Sequence, residues 1–250
     1  MTLRNRLWPS VAPGILREIR AIRLAGQEVR YCLKRSAKRR TIALQIGGDG
    51  LEVRAPFRVG ERQLDAVLRE KSQWVLDKLR QAEANKPPPV SWVAGAALPL
   101  RGEVVFLHLQ RGRCAAVLRE NQLQLTLPDP GDTAAARAAA LQWYRGEALA
   151  DFLRRTRCFA HRLGMAPTRV ALSDARTRWG SCNATGAVRL NWRLIKAPPF
   201  VIDYVVAHEL AHLIERNHSP AFWRVVARIC PTYREARHDL HRSAAGYHAF

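Results

Sequence analysis

Two histidines and a glutamate with the spacing of a metal site lie near the carboxyl end of this 250-residue chain. On a helix, His208 and His212 share one face and lie about 6 Å apart along the axis, so both imidazoles can bind the same ion. Glu209 stands beside such an ion, where a carboxylate can take a proton from a metal-activated water. This is the H-E-x-x-H spacing of zinc hydrolases. The three residues predict a zinc metallopeptidase that hydrolyses peptide bonds, with Glu209 as its general base. A non-catalytic zinc site that only stabilises the domain is the alternative.

A third protein ligand is needed, because catalytic zinc normally binds three side chains and a water molecule. His218 follows His208 at the distance found in the H-E-x-x-H-x-x-G-x-x-H pattern. Glu215 replaces the glycine of that pattern and is itself a rival for the third position. The sequence therefore predicts one zinc ion per chain, bound by His208, His212 and His218, with Glu215 as the alternative third ligand.

The segment that carries these residues is predicted to be a buried helix. Residues 201–214 are apolar on nearly every side, which is typical of a helix inside a core. The pair Pro198–Pro199 precedes it, and proline is tolerated in a first turn. After the helix, Asn217 can adopt a left-handed backbone, and Ser219–Pro220 favours the start of another helix. We therefore expect His218 in a tight loop between two helices, from which its side chain can reach back.

The pattern along the whole chain is that of an α+β protein. Residues 1–26 are a basic lead-in that we expect to be poorly ordered. Residues 27–130 are predicted to be β-rich, with one helix over 61–85. The run 128–132, rich in proline, glycine and aspartate, predicts a boundary. The metal-binding domain would then occupy residues 131–250.

The chain is strongly basic, with 41 Lys and Arg residues against 21 Asp and Glu residues and a net charge of +20. Such a surface attracts nucleic acid, although an arginine-rich composition alone is an alternative reason for the excess. The cluster Arg35, Lys38, Arg39 and Arg40 could line a phosphate groove or could protect an edge strand from aggregation. Nucleic acid is therefore a predicted partner, beside a protein or peptide substrate.

Composition also bears on the cellular compartment. No apolar run approaches the length of a membrane span, and residues 1–26 lack the apolar core of a secretion signal. The five cysteines are odd in number and widely spaced, which argues against a disulfide framework. These features predict a cytoplasmic protein without membrane contacts.

Four segments around the predicted site form a recognisable set: Arg178 to Cys182, Leu190 to Trp192, Asp203 to His212 and Asn217 to Trp223. Together they resemble the YgjP-like metallopeptidase domain, a family related to the SprT-like and Wss-type zincins. The similarity is strongest over residues 170–240 and weaker over 30–80. It implies a zincin-like fold, with a small antiparallel sheet packed on the metal helix. It also implies zinc binding by the three histidines and catalysis by Glu209. The SprT-like relatives act on proteins attached to DNA, so the resemblance implies, as an alternative, a nucleic-acid-associated metalloprotease that acts on DNA-bound proteins.

A strand beside the metal helix is the expected place for substrate. Residues 187–194 alternate in hydrophobicity, which predicts a strand, and we place this strand at the edge of the small sheet. In zincins such an edge receives the substrate as an added strand, whereas plain pairing within the sheet is the alternative. The substrate-binding candidates are Trp179, Leu190, Asn191 and Trp192.

Other side chains near the helix carry weaker signals. Tyr233 could donate a hydrogen bond to the oxyanion of a tetrahedral intermediate, and His238 and His241 are alternatives for that role. Cys182 could bind the zinc ion as an inhibitory thiolate, although a small buried cysteine is the more common case.

Overall fold

The computed structural model describes residues 15–47, 50–84, 90–248 and 250. The chain forms two compact units, which are divided between Lys86 and Pro87. Small sheets and six helices in the described residues make the fold class α+β, as the sequence predicts.

The first unit is a four-stranded sheet with two helices on one face, whereas the sequence predicts one helix over 61–85. Its elements are β1 (Ile15–Leu24), β2 (Gln27–Ser36), β3 (Ala43–Gly47), β4 (Gly50–Ala55), α1 (Glu61–Glu70) and α2 (Ser72–Ala84). The strand order is β1-β2-β4-β3, with β2 and β4 parallel and the other pairs antiparallel. Alternate side chains, such as Val29 and Leu33, are buried against Leu64 and Val75 of the helices. This is the pattern of a sheet covered on one side.

Strand β1 corrects the expectation of a poorly ordered lead-in over residues 1–26. Residues 15–24 pair along their whole length with β2, whereas residues 1–14 lie outside the described part. The turn between the strands holds Ala25 and Gly26 at φ angles of 45° and 84°, the two positive angles of a type I′ hairpin turn. Ile22 and Leu24 are buried, so apolar burial stabilises the strand despite its arginines.

The second unit begins with a sheet of the same strand order. Its strands are β5 (Ala97–Leu100), β6 (Glu103–Arg111), β7 (Ala115–Arg119) and β8 (Gln122–Leu127), ordered β5-β6-β8-β7 with β6 and β8 parallel. This repeats the connectivity of the first sheet, which the sequence does not reveal. Leu107 and Leu125 are buried in one core with Ala140 of helix α3 (Thr133–Leu163). The predicted boundary at 130/131 therefore differs from the observed division, because these strands pack on α3.

The rest of the second unit holds the predicted site. After α3 come β9 (Arg169–Ser173), β10 (Gly180–Cys182), β11 (Ala187–Asn191), a 3₁₀ turn (Trp192–Lys196), α4 (Pro199–Ala211), α5 (Pro220–Ile229) and α6 (Tyr233–Tyr247). Helix α3 is capped by Asp132, whose side chain accepts hydrogen bonds from two amides of the first turn. Helix α4 is the predicted metal helix, and α5 is the predicted helix after it.

The three-stranded sheet of this unit differs from the predicted one in two ways. Strand β11 lies in the middle, between β10 and β9, and is not an edge strand. It is antiparallel to β10 but parallel to β9, so the sheet is mixed and not antiparallel. The edge beside α4 is instead β10, which is too short to be recognised by periodicity.

In the described parts of the chain, no helix has both the length and the apolar character needed to cross a membrane.

Candidate metal centre

Helix α4 lies in the core of the second unit, as its apolar sequence predicts. Val206, for example, is fully buried, and Pro199 occupies the first turn, where a missing N–H is unimportant. Near this end Asp203 accepts a hydrogen bond from Arg155 of α3 at 2.6 Å, and Arg155 also donates to the buried Asp151 at 2.5 Å. These ion pairs attach the start of α4 to α3, so the histidines further along have a defined position.

Three imidazole rings converge at the end of α4. One ligand nitrogen from each of His208, His212 and His218 lies within 4.8 Å of the other two, and the ring centroids are 4.8–5.1 Å apart. The Nε2 atoms of His208 and His218 are 3.0 Å apart. The structure thus brings together the three predicted ligands, and their role in binding a metal stays a prediction.

His218 reaches the other two rings from the tight loop that the sequence predicts. Helix α4 ends at Ala211, and the following turn is closed by a bond from the Glu215 amide to the Ala211 carbonyl at 2.9 Å. Ser219 then caps α5. Asn217 does not have a positive φ angle, so the left-handed backbone that we considered is not needed to turn the chain.

The carbonyl group of Glu215 orients the second imidazole. It accepts a hydrogen bond from Nδ1 of His212 at 3.0 Å. Because a carbonyl oxygen can only accept, the proton lies on Nδ1 and the lone pair on Nε2. Metal-binding histidines usually have such a partner, which fixes the tautomer. The Glu215 side chain is not part of the donor cluster found among the described residues, so the structure gives no support to Glu215 as the third ligand.

A phenylalanine that sequence reasoning missed supports all three rings. The buried ring of Phe222 lies 4.9, 4.6 and 4.7 Å from the rings of His208, His212 and His218. Because interiors are densely packed, this ring restricts how far the imidazoles can move. The apolar period of α5 predicts that Phe222 is buried, but not that it lies under the histidines.

The Glu209 carboxylate lies in a cleft between α4 and β10. The residue is only 6% exposed, and the structure gives its carboxylate no hydrogen bond or ion pair within the described residues. Gly180 makes this position possible, since a Cβ atom there would lie 2.5 Å from Cγ and 2.7 Å from Cδ of Glu209. Ordinary carbon–carbon contacts are about 3.5–4.0 Å. A glycine inside a strand is typical of such a close approach, so the sequence did contain a signal for it.

Burial changes the protonation of two residues in the cleft. It raises the pKa of Glu209 to about 7, against the lowering effect of Arg178. It lowers the pKa of His208 to about 3, together with the charges of His212 and His218. His208 is therefore neutral at pH 7, which is the form that binds metal. A divalent cation beside Glu209 would favour its carboxylate form and lower its pKa again.

The donor set fits a divalent cation such as zinc. Three neutral imidazoles are a common three-ligand set for catalytic zinc. Two Nε2 atoms 3.0 Å apart need a proton or a cation between them, because two lone pairs repel. The Nδ1 atom of His208 is buried without a hydrogen-bond partner in the described residues. Within those residues, the polar interaction of this ring is therefore the contact between its Nε2 atom and Nε2 of His218. A cation at that point would compensate the burial of the ring.

One side of the cleft is an edge strand whose outward main-chain groups have no partner among the described residues. The Asn183 amide and the Trp179 carbonyl are hydrogen-bonded toward β11. Residues that exchange such bonds alternate along an antiparallel strand, so the N–H and C=O groups of Gly180 and Cys182 point away from β11. Strand β10 is the outer strand of its sheet, and both residues line the cleft. Their main-chain groups are therefore available to a ligand.

The β11 side chains that were predicted to bind substrate are buried instead. Leu190 and Asn191 are 0% exposed and Trp192 is 2% exposed, because β11 is central and not at the edge. Asn191 donates to two carbonyls of the loop 174–179 at 2.5 and 3.3 Å, and Trp192 donates to Asp174 at 2.9 Å. These side chains position the loop that leads into β10 and do not contact the cleft.

The fourth substrate-binding candidate and the cleft cysteine have different surroundings. The Trp179 ring stacks on His248, with centroids 4.0 Å apart, and Trp179 does not line the cleft. Cys182 does line the cleft. Burial and the nearby Glu209 raise the pKa of its thiol, which disfavours the thiolate that a metal would need.

The candidate oxyanion donors lie beside the cleft rather than in it. The Tyr233 ring is stacked on Trp223, with centroids 5.5 Å apart, in a pocket that adjoins His218. His238 and His241 are exposed on α6. A catalytic role for Tyr233 stays a prediction.

Comparison with known proteins points to one family. The family model of the YgjP-like metallopeptidase domain matches residues 40–243, which is most of the chain. Among solved structures, the crystal structure of the metallopeptidase zymogen of Pyrococcus abyssi abylysin is similar to 39% of this chain over 96% of its own, with 22% identity and a TM-score of 0.35. No curated protein matches the chain.

Proposed function

The chain belongs to the YgjP-like metallopeptidase family, and we propose on that basis that it hydrolyses peptide bonds with one zinc ion bound by His208, His212 and His218. The family supports a metal-dependent peptidase in general. The zinc ion, the zincin-type site and the role of Glu209 are parts of the proposal. Its main support is the convergence of three imidazoles beside a buried carboxylate in one open cleft.

The residues of the chain have distinct tasks in this reaction. A divalent cation, when bound, supplies Lewis-acid activation of water and of the scissile carbonyl group. Glu209 accepts the proton released by the attacking water and then donates it to the leaving amine nitrogen. Its carboxylate has no ion pair in the described structure, so it is available for both transfers. The Glu215 carbonyl and the Phe222 ring hold the imidazoles in place, which preorganises the ligand set.

We propose that the substrate backbone pairs with β10. The main-chain groups of Gly180 and Cys182 are available in the cleft, and an extended peptide can add there as a further strand. The proposed substrate edge is therefore β10. From the alternation of residues 187–194 we had expected the edge to be β11. Main-chain pairing binds any extended peptide, so it positions the scissile bond without selecting its side chains.

The variant Glu209→Gln tests this function. The amide has almost the same size as the carboxylate but cannot take up a proton, so hydrolysis should fall by about 10²–10⁴-fold while zinc is retained. Glu215→Gln is the matched control, because that residue supports the site through its carbonyl group and should keep both properties. Zinc is measured by mass spectrometry and hydrolysis with an unfolded protein substrate. Wild-type activity in Glu209→Gln would exclude the proposed general base.

A second candidate function adds nucleic acid as a partner of the peptidase. The observation in its favour is the face of the first sheet that α1 and α2 do not cover. Arg17, Arg30, Lys34 and Arg54 lie on that side, as the strand register shows, although Glu52 pairs with Lys34 and Arg54 and Glu28 pairs with Arg30. We propose that a polyanion binds this face, in keeping with the net charge of +20.

A further inference from the structure

A second pocket opens beside the metal centre and shares His218 with it. Its lining residues are His218, Pro220, Trp223, Tyr233, Arg234 and Arg237. Trp223 and Tyr233 form an aromatic floor, with their centroids 5.5 Å apart and their planes at 24°. The Trp223 centroid lies 5.9 Å from that of His208 and 6.1 Å from that of His218. The pocket therefore begins one aromatic ring away from the proposed metal ligands.

Two guanidinium groups stand over this aromatic floor. Arg237 lies 4.9 Å from the Trp223 centroid, and Arg234 lies 5.7 Å from the Tyr233 centroid. In the described residues neither arginine has a carboxylate partner, whereas Arg242 on the same helix pairs with Asp239. The pocket therefore holds positive charge that the described chain does not neutralise.

We propose that this pocket is a subsite for an acidic side chain of the substrate, with glutamate as the preferred residue. The inference rests on the proposed peptidase function. Cationic side chains next to a site for a divalent cation repel that cation, and an anion bound between them removes the repulsion. Arginine recognises carboxylate groups through paired hydrogen bonds. The methylene stem of glutamate can lie along the rings of Trp223 and Tyr233 while its carboxylate reaches Arg237.

The distances also limit where this acidic residue lies in the substrate. An extended peptide advances about 3.3 Å per residue, and the Trp223 ring is about 6 Å from the imidazoles. The acidic side chain therefore belongs within two residues of the scissile bond. Because pairing with β10 uses main-chain groups alone, the two arginines supply a side-chain preference that this pairing lacks.

Fluorescence anisotropy tests the subsite by measuring binding without hydrolysis. The zinc-loaded Glu209→Gln protein is titrated with labelled peptides that carry glutamate, glutamine or lysine at each position within two residues of the central bond. We expect about tenfold tighter binding of one glutamate peptide than of its glutamine counterpart, as for a charge-assisted hydrogen bond. Free and amidated peptide ends separate the side chain from a terminal carboxylate, and a preference that needs the free end would overturn the side-chain subsite.

Substitutions of the pocket arginines complete the test. Arg237→Gln should reduce the glutamate preference, because Arg234 alone remains in the pocket, and Arg237→Glu should abolish it. Arg224→Glu is the control, because Arg224 is exposed on α5 outside the pocket and the change in net charge is the same. Equal affinity for the three peptides, or an unchanged preference in folded Arg237→Gln, would overturn the subsite. A wild-type protein that prefers glutamate peptides but cleaves none would instead refute the peptidase function.

Discussion

Replacing Gly180 by alanine should disable the site by displacing Glu209. The φ angle of Gly180 is not positive, so an alanine can adopt the same backbone conformation. Its Cβ, however, would lie 2.5 Å from Cγ and 2.7 Å from Cδ of Glu209. Restoring ordinary contacts of about 3.5 Å requires the glutamate side chain to move by about 1 Å.

The size of the effect follows from this displacement. Glu209 is only 6% exposed, and the added Cβ forces its side chain out of the position that it has in the cleft. A misplacement of about 1 Å at a catalytic centre costs about 10²-fold in rate, which corresponds to roughly 2.7 kcal/mol of activation free energy. The three atoms nearest the added Cβ all belong to Glu209, and so we expect the zinc content to stay unchanged.

The assay measures kcat and KM with a quenched fluorescent peptide, together with zinc content and thermal unfolding. Gly146→Ala is the matched control, because a Cβ at this position of α3 meets no atom within 4 Å and alanine favours a helix by about 1 kcal/mol. The double variant Gly180→Ala with Glu209→Gln should be no less active than Glu209→Gln, since both changes act on one group. Wild-type kcat in Gly180→Ala, or loss of zinc in proportion to activity, would refute the reasoning.

Three further outcomes are expected from the ligands, the supporting loop and the surface charge. His218→Ala should lower the zinc affinity by more than the 10–100-fold that loss of a supporting partner costs, whereas Glu215→Ala should leave the zinc affinity unchanged. Competition with a chelator measures the zinc affinity of both variants, and equal affinities would contradict the ligand set. Burial raises the pKa of Asp174, but hydrogen bonds from Trp192 and Arg193 outweigh this effect and leave the pKa below its ordinary value. The contribution of Asp174 to stability is therefore complete above about pH 4 and is lost as the pH falls through the lowered pKa. Because this side chain is 61% exposed, Asp174→Asn should reduce the free energy of unfolding by only about 0.5–1 kcal/mol at pH 7 and by less at pH 3 in urea titrations, and an equal loss at both values would argue against the ion pair. DNA binding through the face of the first sheet opposite α1 and α2 should weaken by about 10²-fold between 50 and 200 mM salt. Binding that does not depend on salt would exclude phosphate contacts by the arginines and the lysine of that face.

The metal helix and the loop after it could be predicted from sequence because their signals are local. The spacing of His208 and His212 on an apolar helix, and the Ser219–Pro220 start of the next helix, each depend on a few neighbouring residues. The structure has both features, with α4 ending at Ala211 and Ser219 capping α5. Local patterns of this kind do not depend on how distant strands pair.

The place of β11 could not be predicted because it depends on pairing between distant segments. The alternation of residues 187–191 indicates a strand, but it does not distinguish a central strand from an edge. Strand β11 is central because β9 and β10 pair with it on either side. With only three residues, β10 is too short to show an alternating pattern in the sequence. The same limit applies to the division of the chain, since the packing of β8 on α3 is not visible in the run 128–132.

The sequence contains local signals for strand β1 and for the close approach at Gly180. Each signal can be interpreted only together with the segment that it contacts. Ala25–Gly26 between two alternating segments is a two-residue hairpin turn, yet the arginines of 1–26 favoured a disordered lead-in. The glycine of Arg178 to Cys182 indicates a close approach, but only the structure identifies Glu209 as the group that approaches.

X-ray absorption at the zinc edge tests the central claim most directly, because it reports the metal and its ligand atoms together. We expect one zinc ion per chain with three imidazole nitrogens at about 2.0–2.1 Å and at least one oxygen ligand from solvent. Its signal should lose one imidazole in His218→Ala and remain unchanged in Glu215→Ala. A sulfur ligand at about 2.3 Å, which would point to Cys182, or a protein that binds no zinc, would contradict a catalytic centre built from three histidines and Glu209.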